Sequence, residues 1–342
     1  MGKPKVLQIL SMYHEQGEIV LREGVEVIRT DHYDIPHLCR LVLDVEGIVL
    51  RAPAQITREV IDANPNLKVI SGAGVGLDNI DVAYATAHGI PVLHAPSVNK
   101  VSTAEHAVML MLALSKNVIR LHDEMSRGDY ASRTRIPTYE LKGKKAGLVG
   151  FGHIAQEVAK RLKLGFDMDV TAWVRGIDPV KHGLAHELGI RLTTRLEDVF
   201  AQSDFVSLHI PLNEQTRYSI DRKLFSLMKS TAYLINTARG AVVHQDDLFA
   251  ALQEGRIAGA GLDVFDPEPP AKGHPLLSLP NVIVTPHVGG TTVECNYITS
   301  TTVARNVIRV LQGERPEHIG NPEVLDERYP GRMTADRRIS DN

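Results

Sequence analysis

Residues 146–155 have the sequence Ala-Gly-Leu-Val-Gly-Phe-Gly-His-Ile-Ala, and this stretch decides the fold of the chain. Its apolar start, 146–149, is typical of a buried parallel strand, and Gly150, Gly152 and Ala155 follow in the spacing G-x-G-x-x-A. Between a strand and a helix, the first glycine permits a tight turn, the second lets a phosphate approach the backbone, and the small third residue lets helix and strand pack closely. The helix start then presents free N–H groups and a positive dipole end to an anion. The stretch therefore predicts a dinucleotide-binding loop.

The composition is that of a globular protein in a reducing compartment. The 342 residues suggest two domains, and the two cysteines, Cys39 and Cys295, form neither a disulfide framework nor a C-x-x-C metal spacing. The 38 Lys and Arg nearly balance the 41 Asp and Glu, so no charge excess predicts binding to nucleic acid or to an anionic membrane. No apolar run reaches the roughly 18 residues of a membrane span, and the N-terminus lacks the pattern of a signal peptide. We expect a cytoplasmic protein without a metal site.

The first part of the chain, 1–95, alternates short β-type runs with helical stretches, which favours βαβ units on a parallel sheet. The predicted strands are Val6–Leu10, Val25–Arg29, Gly47–Leu50, Val69–Ser71 and Val92–His94, with helices at Ile56–Ala63 and Val82–His88.

A glycine-rich segment, 71–81, follows the fourth of these strands. One interpretation is a group of backbone N–H donors at the carboxyl end of a strand, where α/β sheets bind ligands. The other is a plain turn in which Asp78 or Asp81 caps the next helix. The segment alone does not favour either one.

A long helix is predicted from Ser102 to Met125. Ser102 or Thr103 is its expected N-cap, and Glu105 completes a capping box three residues after Ser102. The middle of the helix is apolar on every side, which indicates a helix that joins two domains or lies in a subunit interface. We expect Glu105 and His106 to be structural.

A second α/β domain is predicted from 146 onwards, with six strands in a doubly wound sheet. The predicted strands are Ala146–Val149, Val170–Val174, Phe205–Leu208, Ala232–Asn236, Gly259–Val264 and Val282–Val284, and the helices include Leu196–Gln202, Arg222–Met228 and Asp246–Gln253. A last helix, Thr292–Leu311, has no apolar partner nearby in sequence, so we expect it to return to the first domain.

Three ionisable residues follow strands of the second domain: Arg239, Glu268 and His287. The carboxyl ends of parallel strands converge on one crevice. A histidine beside a carboxylate is suited to proton transfer near neutral pH, and an arginine can bind a substrate carboxylate with two hydrogen bonds. Singly, each residue has a plainer interpretation as a surface ion pair, a turn acid or a loop histidine; together they predict catalysis.

From about Val6 to Gly313 the chain resembles the D-isomer-specific 2-hydroxyacid dehydrogenases. The stretches that carry the resemblance are Gly-Val-Gly-Leu-Asp-Asn-Ile-Asp (74–81), Ala-Pro-Ser-Val-Asn with Ala-Glu-His (95–106), Gly-Phe-Gly-His-Ile-Ala (150–155), His-Ile-Pro-Leu (209–212), Leu-Ile-Asn-Thr-Ala-Arg-Gly (234–240), Leu-Asp-Val-Phe-Asp-Pro-Glu-Pro (262–269) and Thr-Pro-His-Val-Gly-Gly (285–290).

The resemblance implies two doubly wound parallel-sheet domains of Rossmann or flavodoxin type, with a cleft between them. A discontinuous substrate domain is expected at 1–98 plus 291–318 and a dinucleotide-binding domain at 99–290. The tail, 319–342, is expected to be extended or disordered. The resemblance further implies a homodimer formed mainly by the dinucleotide-binding domain.

The resemblance also implies roles for single residues. His287 is the general acid for reduction of a 2-oxo acid and the base for the reverse reaction, Glu268 holds and charges its imidazole, and Arg239 binds the carboxylate and carbonyl of the substrate. The amides of Val75 and Gly76 complete the carboxylate site, which favours the functional interpretation of the glycine-rich segment. The expected contacts of the nicotinamide cofactor, with Asp263 orienting its carboxamide, are Gly150, Gly152, His153, Ile154, Val174, Arg175, Pro211, Thr237, Ala238, Asp263 and Gly290.

The cofactor preference follows from the end of the second strand of this domain. An acid is usual there to bind the adenosine ribose, but the chain has Val174 followed by Arg175. An arginine suits a 2′-phosphate, so we predict a preference for NADP over NAD. Alternatively, Arg175 stacks on adenine or faces solvent, and Asp178 serves NAD after a shift of the loop.

The substrate is expected to be a small unphosphorylated 2-oxo acid such as glyoxylate or hydroxypyruvate. Arg51 alone is thin support for a doubly charged phosphate, which places a phosphoglycerate dehydrogenase-like enzyme second. Glu268 argues against the related formate dehydrogenases, which carry Gln beside the histidine. A nucleotide-sensing, corepressor-like binding protein is the alternative of another class.

Overall fold

The computed structural model describes residues 2–325. Their helices and strands alternate along most of the chain. In chain order the elements are β1 (Lys5–Ile9), α1 (Glu15–Gly24), β2 (Glu26–Thr30), α2 (Ile35–Leu41), β3 (Gly47–Leu50), α3 (Arg58–Asp62), β4 (Val69–Gly72), α4 (Val82–Ala87), β5 (Val92–Leu93), α5 (Lys100–Ser115), α6 (Val118–Ser126), β6 (Lys145–Val149), α7 (His153–Lys160), β7 (Asp169–Trp173), α8 (Pro179–Leu188), β8 (Arg191–Thr193), α9 (Leu196–Gln202), β9 (Phe205–Leu208), α10 (Arg222–Leu227), β10 (Tyr233–Asn236), α11 (Gln245–Gln253), β11 (Gly259–Leu262), β12 (Val282–Val284) and α12 (Val293–Leu311).

The chain divides into two compact units. The first unit comprises the described residues of Met1–Asn99 and Thr291–Asn342, and the second comprises Lys100–Gly290. Each unit is an α/β structure with its own parallel sheet, as the sequence predicts.

The first unit contains a five-stranded parallel sheet of order β2-β1-β3-β4-β5. The last of the described helices, α12, packs on this sheet and on α1, with Val303, Val307 and Val310 in the shared core. A Cβ added at Gly17 would lie 2.4 Å from the Cβ of Ser300, so α1 and α12 approach closely because position 17 has no side chain. Two helices of this unit, α1 and α2, were not among the elements predicted from the sequence.

The second unit contains a seven-stranded parallel sheet of order β12-β11-β10-β9-β6-β7-β8. The sequence predicts six of these strands and misses β8. This short strand lacks an apolar run, and among residues 2–325 it pairs with β7 alone. The strand order changes direction between β6 and β9, which are hydrogen-bonded to each other. In sheets of this kind ligands bind outside the carboxyl ends of the strands at that point.

The predicted helix 102–125 is wrong as a single element. Asn117 adopts the left-handed conformation, with φ of 50° and ψ of 35°, and separates α5 from α6. Asn tolerates this conformation better than most residues, and its side chain also donates to the carbonyl of Pro137 at 2.8 Å. The expected N-caps were also wrong: the helix begins at Lys100, and Ser102 and Thr103 are buried within its first turn.

The packed part of the first unit continues past residue 318, where the tail was expected to begin. Ile319 forms an antiparallel bridge with Leu93, and Asn321, Val324 and Leu325 are buried. Asn321 satisfies backbone groups beside β5, which explains why this polar residue is buried. The rest of the predicted tail, 326–342, lies outside the described residues.

Among residues 2–325, no helix has the length and apolar character needed to cross a bilayer. Within the same range, no group of three or more His, Cys, Asp or Glu side chains is arranged to hold a metal ion.

Candidate active site

The glycine turn lies at the carboxyl end of β6, beside the end of β9. Gly150 has φ of +107°, and a Cβ there would lie 2.5 Å from the carbonyl oxygen of His209, so only glycine fits. Gly152 is the N-cap of α7, and a Cβ added to it would contact nothing within 4 Å. The backbone is therefore open to an approaching phosphate at Gly152, with the N-terminal residues His153 and Ile154 directly behind it.

Two buried polar atoms at the carboxyl ends of β9 and β10 have no hydrogen-bond partner among the described residues. They are Nε2 of His209, just after β9, and Oγ1 of Thr237, just after β10. Burial lowers the pKa of His209 to about 4, so its imidazole is neutral near pH 7. Buried polar groups are normally hydrogen-bonded. These two atoms at the strand ends therefore fit a bound polar ligand such as a dinucleotide.

The remaining predicted cofactor contacts of these loops are placed as follows. Pro211 is exposed after β9, and its carbonyl accepts from Oγ1 of Thr216 at 2.7 Å. Ala238 is half-buried after β10, with its N–H bonded to Oδ1 of Asn236 at 3.0 Å. Gly290 is half-buried at the end of the second unit.

The end of β7 carries no free carboxylate. Val174 is only 5 % exposed, while Arg175 is exposed and contacts Oε1 of Gln215 at 3.5 Å. Asp178 caps α8 by accepting from the N–H of Lys181 at 2.8 Å and pairs with Nζ of the same lysine at 3.0 Å. These contacts lower the pKa of Asp178 and commit its carboxylate to the helix.

His287 and Glu268 form a direct pair at the ends of neighbouring strands. Nδ1 of His287 lies 2.7 Å from Oε2 of Glu268, and Oε1 of Glu268 accepts from the N–H of Phe265 at 2.9 Å. Because a carboxylate only accepts, Nδ1 carries the hydrogen and Nε2 faces away from Glu268. This arrangement leaves Nε2 available for proton exchange.

The electrostatics of the pair favour a charged imidazole. The hydrogen bond and charge of Glu268 raise the pKa of His287 above its usual value, against the opposing effects of burial and of Arg239. Burial alone would raise the pKa of Glu268, but the hydrogen bonds from His287 and Phe265 and the charges of His287 and Arg239 outweigh it and lower that pKa. Arg239 is therefore close enough to influence both members of the pair.

The loop that carries Arg239 is tied to its own strand end. Nδ2 of Asn236 donates to the carbonyl of Arg239 at 3.0 Å. The next residue, Gly240, lies against the loop after β11, where an added Cβ would be only 1.9 Å from the carbonyl carbon of Phe265. Glycine at this position brings the Arg239 loop next to the loop of Glu268.

Asp263 organises the loop that carries His287. Its carboxylate accepts from Oγ1 of Thr285 at 2.5 Å, from the N–H of Val288 at 2.9 Å and from the N–H of Gly289 at 2.8 Å. Its carbonyl accepts from the N–H of His287 at 2.8 Å. Asp263, which the family resemblance predicts to orient the carboxamide of the cofactor, thus also holds the histidine in place.

His106 joins the same network from α5. Its Nε2 lies 2.9 Å from Oγ1 of Thr285 and 3.4 Å from Oδ1 of Asp263. Its ring therefore contacts the side chains that directly follow β11 and β12. Neither the role of Thr285 nor this contact was predicted, because the two residues lie 179 positions apart and no local pattern links them. Glu105, in contrast, forms an ion pair with Arg161 at 3.1 Å.

The predicted substrate residues of the first unit lie at the carboxyl ends of adjacent strands. Arg51 follows β3; its Nε donates to the carbonyl of Ser11 at 2.8 Å, and its guanidinium lies 5.4 Å from the ring centre of Tyr13. Val75 and Gly76 follow β4 in a half-buried loop. Asp81 caps α4 by accepting from the N–H of Tyr84 at 3.0 Å, so the capping interpretation of this segment holds for that residue.

Comparison with known proteins identifies the architecture. The family model described as D-isomer specific 2-hydroxyacid dehydrogenase, NAD binding domain, matches residues 108–289. The chain belongs to the D-isomer specific 2-hydroxyacid dehydrogenase family. It is accordingly an oxidoreductase that acts on 2-hydroxy acids with a nicotinamide cofactor.

The relatives of this 2-hydroxyacid dehydrogenase carry several names. Glyoxylate reductase from Pyrococcus furiosus is 41% identical over 339 residues, which are 96% of this chain and 98% of the relative. D-3-phosphoglycerate dehydrogenase from Methanocaldococcus jannaschii is 39% identical over 94% of this chain, but the match spans only 60% of that longer relative. The crystal structure of a Sinorhizobium meliloti NADPH-dependent glyoxylate/hydroxypyruvate reductase with NADP and malonate has a TM-score of 0.84 and 27% identity, covering 98% of this chain and 100% of that one.

Proposed function

We propose that this dehydrogenase reduces a small, unphosphorylated 2-oxo acid of the glyoxylate or hydroxypyruvate type to the D-2-hydroxy acid, with NADP(H) preferred over NAD(H). The observation that carries the proposal is the 2.7 Å hydrogen bond between Nδ1 of His287 and Glu268, with Arg239 at the adjacent strand end. A proton donor and a fixed positive charge on one edge of the sheet suit a carbonyl oxygen that becomes an alkoxide.

In this reaction His287 acts from Nε2. The carboxylate of Glu268 keeps Nδ1 protonated and favours the imidazolium, so that Nε2 donates its proton to the carbonyl oxygen as the alcohol forms. Arg239 binds the substrate carboxylate and stabilises the developing negative charge. The nicotinamide, when bound, supplies the hydride that reaches the carbonyl carbon. In the reverse direction neutral His287 accepts the hydroxyl proton.

The contacts of Arg51 support an unphosphorylated substrate. Arg51 is the one expected phosphate partner, and its Nε is already bonded to the carbonyl of Ser11 while its guanidinium lies over the ring of Tyr13. The amides of Val75 and Gly76 suit a single carboxylate. The likeness to the P. furiosus glyoxylate reductase, of which 98% is covered, agrees with this substrate class. The likeness to a D-3-phosphoglycerate dehydrogenase supports the phosphorylated acid as the second candidate.

The testing experiment is an initial-rate panel of glyoxylate, hydroxypyruvate, pyruvate, phenylpyruvate and phosphohydroxypyruvate, each with NADH and NADPH. We expect the highest kcat/KM with glyoxylate or hydroxypyruvate and NADPH, and a loss of about 10²–10⁴-fold in His287→Ala with cofactor binding retained. Turnover of the phosphorylated acid alone would favour the second candidate. Cofactor binding without turnover of any acid would favour a nucleotide-sensing protein.

The environment of Arg175 supports the preference for NADP(H). The end of β7 offers buried Val174 in place of an acid, and the carboxylate of Asp178 is committed to α8. We expect Arg175→Ala to raise KM for NADPH by about 10–100-fold, because a charge-assisted hydrogen bond to the 2′-phosphate is lost. The matched control is Arg195→Ala, which removes another exposed arginine, paired with Asp198 at 3.4 Å. A higher kcat/KM with NADH, unaffected by Arg175→Ala, would refute the preference.

We also propose that the second unit forms a homodimer through α6 and the turn after it. Val118, Ile119, Met125 and Tyr130 are exposed by 50%, 50%, 55% and 62%, and α6 buries none of its residues within the chain. An apolar face of this kind is typical of a subunit interface.

We also propose that the protein is located in the reducing interior of a cell, since both of its cysteines are free.

A further inference from the structure

The segment after β5 holds two successive carbonyls of the glycine-rich loop after β4. The N–H of Ala95 donates to the carbonyl of Gly74 at 2.9 Å. Nδ1 of His94 lies 2.9 Å from the carbonyl oxygen of Val75. Both contacts lie within the first unit and involve residues at the carboxyl ends of neighbouring strands.

The protonation of His94 follows from its partner. A carbonyl oxygen only accepts, so Nδ1 carries the hydrogen and donates it to Val75. Burial lowers the pKa of His94, and nearby His318 lowers it further, against the opposing effect of the hydrogen bond to Val75. The ring is therefore a neutral imidazole held in one tautomer.

These two hydrogen bonds orient the amides on the opposite side of the loop. The cis peptide bonds of residues 2–325 all precede proline, so both peptides of this loop are trans. In a trans peptide the C=O and N–H point in opposite directions. The carbonyl of Gly74 shares its peptide with the N–H of Val75, and the carbonyl of Val75 shares its peptide with the N–H of Gly76. Neither N–H donates a hydrogen bond among the described residues.

We propose that His94 is a positioning residue that aims the N–H of Gly76 at the carboxylate of the 2-oxo acid. The proposal rests on the proposed function, in which the amides of Val75 and Gly76 bind that carboxylate. Gly76 has no Cβ, so the Val75–Gly76 peptide can rotate at low steric cost once its carbonyl is released. The imidazole prevents that rotation by holding the carbonyl on the side away from the substrate.

The expected kinetic effect is confined to substrate binding. The carboxylate keeps its charge during reduction, so the amides bind the ground state and the transition state equally. Loss of such an interaction raises KM and leaves kcat unchanged. The loss of one oriented hydrogen bond to a charged group corresponds to an increase in KM of about 10-fold or more.

The test compares His94→Leu, His94→Asn and His94→Gln. The amide nitrogen of Asn can occupy the place of Nδ1, whereas that of Gln reaches the place of Nε2. We expect KM for the 2-oxo acid to rise about 10-fold in the Leu and Gln variants and to return towards the original value in the Asn variant. The matched control is His88→Leu, which removes an equal 2.9 Å contact from Nδ1 to the carbonyl of Tyr84 in the same unit.

The outcomes separate a positioning role from a structural one. An unchanged KM in both His94→Leu and His94→Gln, with only the melting temperature lowered, would overturn the proposal. So would an equal rise in KM in His88→Leu. If the Leu variant does not fold, the contrast between Gln and Asn decides alone.

A measurement without turnover keeps this proposal distinct from the proposed function. Oxamate, a carboxylate that resembles a 2-oxo acid, is titrated into ¹⁵N-labelled protein while the Val75 and Gly76 amide resonances are followed. We expect both resonances to shift and the oxamate Kd to rise about 10-fold in His94→Gln. If these changes are seen but no acid is turned over, the proposed function is refuted and the positioning role of His94 stands. If oxamate shifts neither resonance in the unmodified protein, the positioning role of His94 is overturned.

Discussion

At the scale of single residues, His287 adopts a backbone conformation that few side chains tolerate, with φ of +54°. Such a conformation persists where its surroundings determine it. Here the N–H of His287 is bound by the carbonyl of Asp263, and the next two N–H groups are bound by the carboxylate of the same residue. The position of the histidine is thus set by hydrogen bonds to the backbone of its loop, and Glu268 raises the pKa of its imidazole.

The pKa shift of His287 predicts the pH dependence of the reaction. Reduction needs the imidazolium, and Glu268 raises the pKa of His287 above its usual value. The kcat/KM for reduction should therefore have its maximal value at pH values below the raised pKa, and it should fall as the pH rises through that pKa. Oxidation needs the neutral ring and should rise over the same range. Initial rates of reduction and of oxidation, measured between about pH 5 and 10 at constant ionic strength, check this pH dependence.

Replacement of the carboxylate provides the control for this pH dependence. In Glu268→Gln the imidazole loses its charged partner, so the descending limb for reduction should move to lower pH and the maximal rate should fall. If kcat/KM for reduction falls at the same pH in Glu268→Gln as in the unmodified protein, a group other than His287 controls the pH dependence. Asp44→Asn, an exposed change in the first unit, should leave the limb where it is.

At the scale of elements, the site depends on how closely neighbouring strand ends approach each other. Gly240 is the tightest of these positions, because a Cβ there would overlap the backbone of Phe265. The backbone of Phe265 is in turn hydrogen-bonded to Glu268. A change at Gly240 must therefore disturb both the Arg239 loop and the Glu268 loop.

We predict that Gly240→Ala lowers both stability and kcat/KM. The added methyl group must separate the two loops, and overpacking of this kind costs about 1–3 kcal/mol or more. Urea unfolding and initial rates measure the two effects. The control is Gly183→Ala in α8, where an added Cβ contacts nothing within 4 Å and alanine should be neutral or stabilising. Equal behaviour of the two variants would contradict the close approach.

At the scale of the whole molecule, the segment after α12 returns to the sheet formed by the N-terminal part of the chain. Asn321 is 1% exposed. Its Oδ1 accepts from the N–H of Val92 at 2.8 Å, and its Nδ2 donates to the carbonyl of Ile90 and to Oγ1 of Thr86, both at 2.9 Å. One side chain thus attaches the segment after α12 to the edge of the sheet.

We predict that Asn321→Ala destabilises the first unit by about 2–4 kcal/mol, because it leaves the buried N–H of Val92 and the carbonyl of Ile90 without partners. Thermal unfolding followed by circular dichroism measures the loss. Glu323→Ala, an exposed change two residues away, is the control and should leave the melting temperature unchanged. A loss smaller than about 1 kcal/mol in Asn321→Ala would show that this contact is dispensable.

The proposed homodimer is also tested at this scale. A charge at the centre of the apolar face of α6 must be desolvated in an interface, so Ile119→Asp should convert a dimer into a monomer. Light scattering coupled to size-exclusion chromatography gives the mass directly. Val180→Asp is the control, since Val180 is 72% exposed and lies on α8, a different helix of the same unit. A monomeric unmodified protein would refute the proposal.

The sequence by itself determined the features that depend on local patterns. Apolar runs bounded by glycine and alternating with helical periodicity led to two parallel α/β units, and the G-x-G-x-x-A spacing identified the turn at Gly150. The positions of Arg239, Glu268 and His287 after strands were also visible, because the order of residues within a strand–loop unit is a local property. The break between α5 and α6 at Asn117 was not visible in the sequence, since a single left-handed residue leaves the apolar pattern almost unchanged.

Only the tertiary structure decided which of these residues meet. Glu268 and His287 are 19 positions apart, and their 2.7 Å contact depends on β11 and β12 being neighbours in the sheet. The contacts of His106 with Thr285, of His94 with Val75 and of Asn321 with β5 likewise join segments that are separate in sequence. Strand order and the packing of distant segments arise from the burial of the whole core, which no local pattern specifies.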